Sequence, residues 1–193
     1  MRKIFFCLMT MTILLCVTSI AKAGSAAGNY TVGLGPVGNI FVVDSSPELD
    51  PGVGGYVYFD YRWSPQFSTQ FGVLVTTEDG TGISKGDNGI EFLGIPTFDL
   101  KFYLFSGETR WDPYGLIGMG FYAVSEGTTG NGTVAFGIGA NLGIGFDYYI
   151  SERFSFGLSA VFRSIGLIDS VGGDHNGTSL FPLSLQGNIA YHF

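Results

Sequence analysis

From residue 135 to residue 162 the chain alternates between apolar side chains and small or polar ones, and few folds accept such a pattern. Phe136, Ile138, Ala140, Leu142, Ile144, Phe146, Tyr148 and Ile150 occupy the even positions. The odd positions hold Ala135, Gly137, Gly139, Asn141, Gly143, Gly145, Asp147 and Tyr149. After Ser151-Glu152-Arg153 the alternation resumes. Phe154, Phe156, Leu158, Ala160 and Phe162 take one face, and Ser155, Gly157, Ser159, Val161 and Arg163 the other. A period of two puts successive side chains on opposite faces of a strand, so the segment reads as two long antiparallel strands joined by a tight turn. Soluble strands run about 5–6 residues, whereas a strand crossing a bilayer in a barrel needs about 9–11. These strands have the second length.

Alternation alone does not say which face is wet. In a soluble barrel the bulky face would point inward; in a membrane barrel it meets lipid and the small face lines a narrow lumen. Glycine inside a strand marks crowding or close approach. Four glycines on one face of one strand therefore suit a cramped interior. Trp63, Phe67, Tyr148 and Phe154 gather beside the short turns, as an interfacial aromatic girdle requires. The bulky face is accordingly read as lipid-facing.

The chain begins with Met1-Arg2-Lys3, an apolar run over residues 4–20, and Ala21-Lys22-Ala23, the three parts of a cleavable signal peptide. Residues 1–23 are read as the signal and residues 24–193 as one barrel domain. Both cysteines, Cys7 and Cys16, lie in the signal, so the mature chain has no disulfide or thiolate metal site. Losing Arg2, Lys3 and Lys22 leaves 6 basic against 16 acidic residues, which argues against nucleic-acid binding. A hydrophobic content of 46% argues against disorder.

Eight strands can be placed, over residues 30–43, 53–63, 67–77, 90–105, 114–124, 135–150, 154–163 and 180–193. The fourth contains Pro96, which cannot donate to a ladder and predicts a bulge or kink. The fifth is apolar on both faces and its phase stays open. Connections at 64–66, 106–113 and 151–153 are shorter than those at 44–52, 78–89, 125–133 and 164–179. Short turns at one end, longer loops at the other and an even strand number define an all-β, eight-stranded antiparallel transmembrane barrel of up-and-down topology. Both termini are then expected in the periplasm.

The chain ends in Ile189-Ala190-Tyr191-His192-Phe193, with a terminal Phe and alternate apolar residues. Residues 94–103, Gly-Ile-Pro-Thr-Phe-Asp-Leu-Lys-Phe-Tyr, are followed by Asp112-Pro113-Tyr114 with Gly118 and Gly120. In these features the chain resembles the small eight-stranded outer-membrane proteins, the group of OmpA-type barrels and OmpW. The resemblance implies the outer membrane of a Gram-negative-type cell envelope, contact with lipid and lipopolysaccharide, and a monomer. It also implies that Ile189, Tyr191 and Phe193 form the signal read by the barrel-assembly machinery.

The facing pattern puts Asp60, Arg62, Asp99, Lys101 and Asp147 in the lumen toward the turn end, with Glu91 and Arg163 inside near the loop end. Buried charges must be paired to be tolerated, and an eight-stranded interior has room for little beyond its own side chains. The first reading is thus a structural surface protein with a plugged or very narrow lumen. An OmpW-like, porin-like conduit for small hydrophobic molecules is the alternative. A third reading, a lipid A-modifying enzyme, would rest on His175 between Asp174 and Asn176, with Ser179 nearby. Asn176-Gly177 reads more simply as a turn, so the protein is not expected to be an enzyme. Asp44, Glu48, Asp50, Glu78, Asp79, Asp87, Glu126, Asp169 and Asp174 are assigned to outer loops with a single Lys85. They form a solvated anionic surface or bridge divalent cations to lipopolysaccharide phosphates. No pattern points to a cofactor or a resident metal.

Overall fold

The computed structural model describes residues 29–42, 51–78, 90–105, 109–126, 133–171 and 179–193. The signal segment, Asp44, Glu48, Asp50, Asp79, Lys85, Asp87, Asp174 and His175 lie outside the described residues. The described residues form nine strand segments: β1 (Tyr30–Phe41), β2 (Gly52–Ser64), β3 (Phe67–Glu78), β4 (Ile90–Tyr103), β5 (Trp111–Glu126), β6 (Thr133–Tyr149), β7 (Phe154–Val171), β8 (Ser179–Leu180) and β9 (Pro182–His192). β8 and β9, separated only at Phe181, make the eighth stave. Each stave pairs antiparallel with its sequence neighbour, and β9 pairs with both β7 and β1. The sheet therefore closes on itself and leaves no edge to recruit other chains. With strands of 11–18 residues apart from the short β8, every backbone group of the wall can be satisfied in lipid.

Facing follows the alternation. Val57, Phe59, Phe71, Phe98, Leu100, Leu142, Ile144 and Phe156 all point outward and are exposed. The inward glycines make room for tyrosines of neighbouring staves. An added Cβ on Gly33 would lie 2.3 Å from the Tyr58 ring, and one on Gly145 would lie 2.6 Å from Tyr114. Glycine on this face is thus a packing requirement, which agrees with the crowding read from the sequence.

Two boundaries differ most from the sequence reading. β7 runs to Val171, well past the expected end at 163, because Ile165 and Leu167 are buried filler that continues the inward face. β5 begins at Trp111, so Asp112 belongs to a strand and not to a turn; its neighbour Pro113 faces outward. β5 also takes a definite phase: Tyr114, Leu116, Gly120 and Tyr122 point inward, and Ile117, Met119 and Phe121 outward. Around the cis Ile95–Pro96 peptide the register shifts against both neighbours, between Gly94 and Thr97 and between Gly72 and Leu74. Before this irregularity Phe92 and Gly94 face inward; after it, Thr97, Asp99 and Lys101 do.

Candidate functional site: the filled lumen

The interior at the turn end is a charge network. Lys101 and Asp60, 3% and 4% exposed, form an ion pair at 3.4 Å. Ser68 Oγ donates to the same Asp60 oxygen at 2.9 Å. The Lys101 ammonium also lies over the rings of Tyr114 (4.6 Å) and Tyr58 (5.1 Å). Arg62 donates to Asp112 at 2.7 Å, to the Tyr149 hydroxyl at 2.9 Å and to the Pro65 carbonyl, while its guanidinium stacks 3.9 Å over Tyr103. The Tyr103 hydroxyl donates to Asp147 at 3.1 Å, and that of Tyr58 to Asn188 at 3.0 Å. Every cation here has both a carboxylate and an aromatic face, the surroundings a buried charge requires.

His192 ties the seam where the chain's ends meet. Its Nδ1 is 2.8 Å from Thr31 Oγ1 on β1, its Nε2 2.8 Å from Ser155 Oγ on β7, and its ring lies against Tyr149. Ten residues, among them Thr31, Asp60, Arg62, Lys101, Asp147 and His192, surround a void of about 10 Å³. That is about the space of a single water molecule.

Farther along, a second network circles the wall. Tyr122 donates to Asn141, which donates to Asp99 at 2.8 Å. Arg163, 2% exposed, reaches Tyr122 and donates to Ser184. Ser184 donates to Asn39, which donates to Thr76 (2.8 Å) and Glu78 (3.3 Å). Alongside the loop-end part of this network, where Thr76 lies opposite Phe92, apolar side chains fill the interior: Leu74, Phe92, Ile165, Leu167 and Leu180 are buried together, with Phe41 and Val124 packed against them.

The structure brings Asp60, Arg62, Lys101 and Asp147 around one void and sets Asp99 and Arg163 in the second network. The side chain of Glu91 lies outside the described residues. Glu78 corrects the loop assignment: it ends β3 and is 2% exposed inside the barrel, because Gly52 opposite leaves space for it. Asp112, the partner of Arg62, lies in what the sequence reads as a turn, and the open phase of the fifth strand gives it no facing. The tyrosines that cover the cations carried no sequence signal beyond facing. Ser179, beside the expected His175 site, is exposed at the start of β8. Among the described residues no group of three or more His, Cys, Asp or Glu could hold a metal ion.

At the turn end the wall carries stacked aromatics, with Trp63 on Phe67 and Trp111 near Phe146 and Tyr148. Tyr30 stacks on the terminal Phe193, and the two exchange backbone hydrogen bonds at 3.2 and 2.9 Å.

A closed eight-stave antiparallel barrel with an apolar exterior, an aromatic girdle and a charge-paired interior is a transmembrane β-barrel. Residues 9–193 match the family described as outer membrane protein beta-barrel domain, and the chain belongs to that family. The Neisserial surface protein A superposes with a TM-score of 0.63 at 14% identity, covering 86% of this chain and 99% of that one. The outer membrane protein OprG from Pseudomonas aeruginosa gives 0.58 at 19% identity, covering 88% and 98%. The Escherichia coli outer membrane protein W gives 0.52 at 15% identity, covering 86% and 98%. These likenesses are likenesses of fold. No curated protein matches the chain.

Proposed function

We propose that this protein is a structural surface barrel of the outer membrane whose lumen is shut along its axis. The short turns and both termini face the periplasm and the acidic loops face outward. The observation that carries this reading is the turn-end interior, where the Lys101–Asp60 pair and Arg62, itself paired to Asp112, leave a void of only about 10 Å³. An ion channel needs a continuous wet path, and a water-sized space enclosed by paired charges does not supply one. The buried Ser155–His192 pair supports a seam contact and no enzyme, since no substrate could enter beside it. Residues 1–23 are removed as a signal, and the mature barrel, a monomer, contacts lipid and lipopolysaccharide. The test is single-channel recording of the refolded protein in planar bilayers: silence is expected, and steady channels at neutral pH would reject the closed lumen.

A second reading, a conduit for small hydrophobic molecules, is favoured by the apolar loop-end interior alone. It predicts displacement of a lumen-bound apolar dye by such molecules, which a fully packed barrel would not show.

Ile189, Tyr191 and Phe193 face lipid and form the signal for the assembly machinery in this proposal. Phe193 also closes the seam with Tyr30, so its deletion acts twice. Membrane fractions should contain less heat-modifiable barrel. The refolded variant should lose about 1–3 kcal/mol, from two hydrogen bonds at about 1 kcal/mol each and a ring contact. Normal insertion after deletion would count against the signal role; normal unfolding would count against the seam role.

A further inference from the structure

We infer that the lumen is closed by two seals in series, one polar and one apolar, and that breaching either alone leaves the barrel shut. The inference rests on the closed-lumen reading and adds to it how closure is achieved. The polar seal is the turn-end network around Arg62 and Lys101. The apolar seal is the loop-end cluster of Leu74, Phe92, Ile165 and Leu180, drawn from β3, β4, β7 and β8. Phe92 is fully buried; it stacks on Tyr122 at 5.6 Å, and Phe41 meets it edge-on at 6.4 Å.

The two layers are centred apart along the wall and meet at Tyr58, which belongs to the apolar cluster and lies beneath the Lys101 ammonium. On β4, Phe92 and Lys101 are nine residues apart, roughly 30 Å of extended chain at about 3.3 Å per residue. The network that starts at Asp99, two residues from Lys101, climbs the wall through Arg163 to Thr76 and Glu78, which lie opposite Phe92 and Ile90, and so braces the wall of both layers. They also stop an ion by different physics. The polar layer occupies the lumen with charges that hold one another in place, so a permeating ion would have to compete for a bound partner. In the apolar layer the polar groups at its level, Asn39, Thr76 and Glu78, are bonded to one another, so an ion meets hydrocarbon that does not replace its hydration shell and water is excluded by dewetting. Removing charge from the first leaves the second dry, and opening the second leads only to the ion pairs of the first.

The experiment compares four refolded proteins in planar bilayers: the unmodified chain, Arg62→Ala/Lys101→Ala, Phe92→Ser/Ile165→Ala, and the four changes combined. The first three are expected to show less than one-tenth of the steady conductance of the combined variant. If either two-residue variant conducts at the combined level, the other layer is no seal and the inference fails. A folded combined variant that stays silent overturns it as well. Should the combined variant lack heat-modifiable mobility, Lys101→Gln with Phe92→Ser gives the same comparison with less disruption. Steady conductance of the unmodified chain would remove the closed-lumen reading itself, which is distinguishable because no variant is then needed to open the path.

Discussion

Replacing Lys101 with Met should destabilise the folded barrel by about 3–5 kcal/mol, the usual cost of removing one partner from a buried ion pair. Met retains most of the apolar stem, so lost packing contributes little and the effect reports the charge. The substitution strands Asp60, which keeps only the Ser68 hydroxyl among the contacts described above. It also takes the cation from above the rings of Tyr58 and Tyr114. Urea titration of the protein refolded into lipid vesicles measures the change. A loss of 1 kcal/mol or less would mean that water screens these charges, as it does for surface pairs.

Leu142→Arg should cost about 2–4 kcal/mol, the range for a cation placed on the lipid face of a barrel near mid-membrane. Leu142 lies within β6, points outward and is 62% exposed. In a water-soluble barrel of the same shape, an exposed leucine would accept arginine at almost no cost. The same vesicle titration therefore decides which solvent surrounds the wall. A tolerated Leu142→Arg in protein that still needs lipid to fold would reverse the facing.

The barrel was legible in the chain because strand parity survives every local irregularity except the one at Pro96. Leu142 outward and Asn141 inward follow from period two alone, whatever the neighbouring stave. β5 resisted the same treatment because a filled barrel accepts Tyr114, Leu116 and Tyr122 inside as readily as lipid accepts Ile117 and Met119 outside. Hydrophobicity then no longer separates the faces. Glu78 was placed in a loop because a carboxylate at the end of a strand looks solvated. Its burial depends on Gly52, a residue on a different stave. Arg62 and Asp112 lie 50 positions apart in the chain. Their pairing follows from the stagger of the closed sheet, which no single segment encodes. The inward charges were thus readable one at a time, and their partners were not.

The most direct measurement uses the absence of cysteine from residues 24–193. Val161 points inward and is 2% exposed, while Ile144 points outward and is 71% exposed. Val161→Cys and Ile144→Cys, each embedded in vesicles, are treated with a charged, water-soluble thiol reagent and with a lipid-soluble maleimide. A shut barrel in a bilayer leaves Val161→Cys unreactive toward the charged reagent, and Ile144→Cys reactive only toward the maleimide. Rapid labelling of Val161→Cys by the charged reagent would show an open lumen, and labelling of Ile144→Cys by it would show that the bulky face does not meet lipid.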